Sequence, residues 1–107
     1  MAERVTAKDV EYALERLRTA HKRAGITRTV TVEGVVVVLR PEHLHVERGS
    51  QTYGRPWRLY YRHPVSGGHY TTATDDYLGW NAREARAALR FVAQGINAAL
   101  DAQAGKL

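Results

Sequence analysis

A chain of 107 residues, 44% hydrophobic and 25% charged, is sized for one globular domain, 1–107, and its composition excludes fibrous and generally disordered classes. With no cysteine, it has no disulfide framework, thiolate nucleophile or cysteine-ligated zinc site, and its net charge of +5 favours acidic partners such as nucleic acid. No apolar run approaches the ~20 residues that span a bilayer, and the start MAERVTAKDVE lacks a signal peptide's apolar stretch, so the expectation is a cytoplasmic protein with no membrane partner.

Thr6 followed by Asp9 is a helix-start signal, and Val10, Leu14 and Leu17 then recur at helical spacing. The first helix is expected from 7 to about 23. Gly25 is placed to end it, and His21, Lys22 and Arg23 stand where a helix C-terminus favours positive charge. Its narrow apolar stripe could form the seam of a homodimer.

The period changes after Ile26, where Val30 and Val32 alternate with Thr29, Thr31 and Glu33 ahead of Gly34. That is a hairpin signal. The unbroken, β-branched run VVVVL that follows reads as a strand buried on both faces, at the centre of the sheet.

Pro41 sits at the second position of a turn, and a short strand is expected over 43–47. Residues 48–56 combine two glycines with a serine, a threonine and a proline, and read as a mobile loop. Strands at 57–62 and 69–74 follow, joined by PVSGG. Asn81 with Glu84 opens a second helix, expected from 82 to about 103, with an apolar stripe of Ala85, Leu89, Val92, Ile96 and Leu100. Trp80, just before the cap, is expected to staple against Ala85. The order predicts an α+β fold: an antiparallel sheet of about four to five strands, with an N-terminal and a C-terminal helix packed on one face.

In WRLYYR, Trp57, Leu59 and Tyr61 point one way and Arg58, Tyr60 and Arg62 the other. The first set reads as core. The second set, if the helices cover the opposite face, could contact phosphates, stack on bases or donate to guanine edges. Arg48 and Arg55 in the preceding loop extend the basic surface. Across residues 40–70 five arginines face two glutamates, with five aromatic residues interleaved. An ordinary half-exposed strand would also put arginine and tyrosine outward, and HYTTATDD brings two aspartates and no lysine or arginine.

His43 and His45 are two residues apart, and His63 and His69 flank the hairpin turn, but no acidic or cysteine partner has metal-site spacing, so no metal is assigned. Asp75-Asp76 reads as turn or cap chemistry. No phosphate-cradling glycine loop, G-x-S-x-G or H-E-x-x-H occurs. The expectation is a non-enzyme without a cofactor.

The segments WRLYYR, SGG, HYTTAT and NAREARAAL together resemble the arm-type DNA-binding domain of phage tyrosine recombinases, over residues 57–92. That resemblance implies a three-stranded sheet backed by a helix, with Arg58, Tyr60 and Arg62 facing the DNA groove. NAREARAAL also looks like the last helix of a double-stranded-RNA-binding domain, although the interval from His69 to Asn81 reads as too short for two strands. The expected function is therefore a small basic accessory protein, of phage or mobile-element type, that binds nucleic acid. The alternative is a protein-interaction module, either targeting a host factor or assembling with itself, which exposed Tyr53, Trp57 or Trp80 would favour.

Overall fold

The computed structural model describes residues 4–48, 56–71 and 77–105. In chain order these form α1 (Ala7–Ala24), β1 (Arg28–Val32), β2 (Val35–Leu39), a 3₁₀ turn (Pro41–His43), β3 (Leu44–Arg48), β4 (Trp57–Arg62), β5 (His69–Thr71), β6 (Tyr77–Gly79) and α2 (Ala82–Gly105). The architecture is α+β, with helices at both ends and antiparallel strands between.

Both helix starts are made by short polar side chains. The Asp9 amide donates to Thr6 Oγ1 at 3.4 Å and the Thr6 amide donates back to Asp9 Oδ2 at 2.8 Å, a reciprocal box that satisfies two end groups. Asn81 accepts from the Glu84 amide at 2.8 Å. Gly25 closes α1 in the left-handed region, φ 70°, where glycine carries no side-chain penalty.

The helices lie side by side and run the same way. Arg86 of α2 is close enough to Asp9 of α1 to act on its charge, while at the far end Arg23 donates to Asn97 at 3.1 Å and to Asp101 at 2.8 Å. Val10, Ala13, Leu14, Leu17 and Ala20 of α1 meet Ala85, Leu89 and Ala93 of α2 in the core. The stripe that reads as a dimer seam is thus buried inside the fold. On α2 the seam runs through Ala93, 6% exposed, and leaves Val92 43% exposed.

Four strands form the sheet beneath the helices. β4 is central, paired along its length with β3; its other edge holds β5 at residues 60–62 and β6 at 57–58, end to end. Two strands of three residues therefore do fit between His69 and Asn81, and β6 is an element the sequence reading lacked. Leu44, Trp57, Leu59, Tyr61 and Leu78 join the core from the helix side of the sheet. Arg18 clips α1 to this sheet by donating from Nε, at 3.0 Å, and from Nη2 to the Leu44 carbonyl. At Gly79, φ 146°, a side chain would collide with the Glu84 Cβ, so β6 can lie on the first turn of α2 only with glycine there.

β2 is not the central strand buried on both faces that its sequence predicts. Among the described residues it pairs only with β1, in a separate two-stranded sheet, and Val35, Val36 and Val38 are 62%, 63% and 44% exposed. Glu33 and Gly34 have φ of 51° and 78°, the paired positive values of a tight hairpin turn, which turns β2 straight back along β1. Val30, Val37 and Leu39 face the core, while Val36 and Val38 share the other face with Thr29 and Thr31. No described strand or helix covers that face. No helix among the described residues is long and apolar enough to cross a membrane.

Candidate nucleic-acid interface

The alternation of β4 sets up the site. Trp57, Leu59 and Tyr61 are 6%, 7% and 3% exposed beneath the helices, whereas Arg58 and Arg62 are exposed and Tyr60 is half-buried on the reverse side. The cross-strand register assigns neighbours to that outer side. Glu47 lies opposite Arg58, His45 opposite Tyr60, and His69 opposite Arg62.

Three rings consequently cross three strands in a row. Tyr60 lies 4.0 Å from His69 and 5.9 Å from His45 by ring centroids, both tilted by 31°. Burial first, and then the Arg18 and Arg62 charges, push the His45 imidazole below its ordinary pKa, so it favours the neutral form. Burial and the Glu47 carboxylate push the Tyr60 phenol up and keep it a hydrogen-bond donor. Glu47 Oε1 lies 3.7 Å from His69 Nδ1, and the Glu11 carboxylate of α1 is also close enough to act on Tyr60 and His45. The face thus carries a row of three mutually tilted rings, with Arg58 and Arg62 on either side of Tyr60 along β4.

The other residues singled out in the sequence separate. Arg48 pairs with Trp57, so it lies on the core side of the sheet's edge, its guanidinium carbon 5.7 Å from the Trp57 ring centroid, and it does not join the Arg58–Tyr60–Arg62 row. Arg55 and Tyr53 lie outside the described residues, as do Asp75 and Asp76. His43 ends the 3₁₀ turn, where the Arg40 amide donates to its Nδ1 at 2.9 Å, so it does not share a strand face with His45. Among the described residues no cluster of histidine and carboxylate side chains is arranged to hold a metal.

Trp80 is 54% exposed, its ring against that of Tyr77 at 6.0 Å, while Ala85 is fully buried. The membership of His45, His69 and Glu47 in the site was missed in the sequence because it follows from strand register, which no spacing within one strand encodes. No family model matches this chain, and no curated protein or solved structure matches it.

Proposed function

We propose that the protein is a non-enzymatic accessory protein that binds nucleic acid on the outer face of β3, β4 and β5, as a small phage or mobile-element product in the cytoplasm would. One observation carries this reading: the helices cover Trp57, Leu59 and Tyr61, and leave Arg58, Tyr60 and Arg62 on the side facing water. In this reading Arg58 and Arg62 contact phosphates, while Tyr60, steadied by His45 and His69, stacks on a base. Glu47 limits how closely a phosphate approaches the Arg58 end, so contact centres on Tyr60 and Arg62. The resemblance of residues 57–92 to recombinase arm-type domains supports the same face.

The test is a fluorescence-anisotropy titration against duplex and single-stranded DNA and RNA at two salt concentrations. Affinity falls with log[salt] by roughly 0.9 per phosphate contacted on duplex DNA. The Arg58→Ala, Arg62→Ala double variant is expected to reduce that slope by about two and to melt within a few degrees of wild type. Tyr60→Ala is expected to cost about 1–3 kcal/mol on single strands. Absence of binding by the wild type near ~50 mM salt would end the proposal, since electrostatic contacts are strongest there.

A second reading, a protein-interaction or self-assembling module, is favoured by the exposed valine face of β1 and β2 and by the exposed Trp80. Sedimentation equilibrium of wild type and Val36→Lys separates it: self-association lost on substitution supports an assembly face.

A further inference from the structure

Where β4 runs into its turn, the outer face ends in a hollow of about 390 Å³ lined by His43, His45, Arg62, His63 and the turn residues 64–67. Its charged and titratable side chains are a guanidinium and three imidazoles, with no carboxylate among them. The two outer imidazoles are held by backbone. His63 Nδ1 accepts from the Val65 amide at 3.1 Å and the Ser66 amide at 3.0 Å, and His43 Nδ1 accepts from the Arg40 amide at 2.9 Å. A nitrogen that accepts cannot carry the proton, so in the neutral ring the N–H of each is on Nε2, the nitrogen left for a ligand. Ser66 Oγ accepts from the Gly68 amide at 3.2 Å and keeps its own O–H to donate. No described carboxylate forms an ion pair with Arg62. A set of N–H and O–H donors around a fixed cation, with no acceptor charge, suits an anion and repels a metal ion.

We propose that this hollow is a phosphate-binding subsite, in which Arg62 and the Nε2–H groups of His43 and His63 hold a phosphate of the strand that lies over Tyr60. For its ligand the proposal rests on the nucleic-acid reading above; the chemistry is that of any phosphate, and a free phosphate is the other source. The deciding variant is His63→Asn. An asparagine oxygen can accept the same amides two and three residues ahead, preserving the turn while removing Nε2.

The experiment has two arms. In the first, the wild type is titrated with inorganic phosphate at constant ionic strength and the imidazole ¹⁵N resonances are followed. Saturable shifts at Nε2 of His43 and His63 are expected, weakened about tenfold in His63→Asn and in Arg62→Ala and unchanged in Tyr60→Ala. No saturable shift, an undiminished response in Arg62→Ala, or a response to zinc in place of phosphate overturns the proposal.

In the second arm, a single-stranded oligonucleotide of about eight nucleotides is titrated by anisotropy. His63→Asn is expected to weaken binding about tenfold and to lower the salt slope by about one. Equal binding by wild type and His63→Asn would remove the subsite and leave the nucleic-acid face standing. Phosphate saturation without oligonucleotide binding would keep the subsite, with free phosphate as its ligand, and end the nucleic-acid reading.

Discussion

The two sheets of this chain are both antiparallel, yet they stand in different surroundings. β4 has strands along both edges and helices over its Trp57, Leu59 and Tyr61 side. β2 has β1 on one edge, nothing described on the other, and a face on which Val36 and Val38 meet water. A strand's burial is therefore set by what lies beside and above it. Apolar content alone does not decide it: the half-polar strand is the central one, and the all-apolar strand is half exposed.

The sharpest break of that contrast is at its glycines. Gly79→Ala drives a methyl group into Glu84 at a positive φ and is expected to cost about 3–5 kcal/mol, combining overpacking with backbone strain. Gly34→Ala, which has φ 78° and open space around it, is expected to cost only about 1 kcal/mol. Urea unfolding of both variants measures the gap, and equal costs would show that β6 does not rest on α2 as described. The next effect is smaller. Leu59→Ala is expected to lose about 2–4 kcal/mol through a core cavity, whereas Val36→Thr should stay within about 0.5 kcal/mol. A large loss at Val36 would mean that the exposed face of β2 is covered in solution.

Acid supplies the mildest test. Burial depresses the pKa of His21, whose Nδ1 has no hydrogen-bond partner, and burial together with Arg18 and Arg62 depresses that of His45. A depressed imidazole pKa means the unfolded chain takes up protons first, so this stability is fully present above the ordinary value of ~6.5 and is lost as pH falls through the folded-state pKa values. Each histidine contributes a slope of at most about 1.4 kcal/mol per pH unit in that window. His21→Leu is expected to flatten the slope. The β1–β2 segment contains no histidine, so it should add no histidine-linked acid sensitivity of its own.

Much of this was readable from the residues. Thr6 with Asp9 and Asn81 with Glu84 start the two helices because capping is local chemistry, and the alternation in WRLYYR separates the faces because a pleat has period two. What failed depends on distant partners. VVVVL reports β-propensity and says nothing about a second neighbour. The three residues of β6 carry no pattern of their own and pair with β4 at 57–58, beside the stretch 60–62 that β5 holds. The shift of the α2 seam from Val92 to Ala93 depends on which side of α2 meets α1, which the pattern of α2 alone does not state. The aromatic row of His45, Tyr60 and His69 required the register of three strands.

The shared direction of α1 and α2 has one more consequence. Helices aligned in the same sense set like poles side by side, and the Arg23 clasp to Asn97 and Asp101 bridges the pair toward their C-terminal ends. Added electrolyte weakens that clasp and relieves the repulsion between poles and within the +5 charge at the same time. The two responses oppose each other, so the fold is expected to change little in stability with ionic strength, which thermal melts at low and high salt check. A steep loss of affinity with salt in the proposed nucleic-acid titration would then report phosphate contacts and not unfolding.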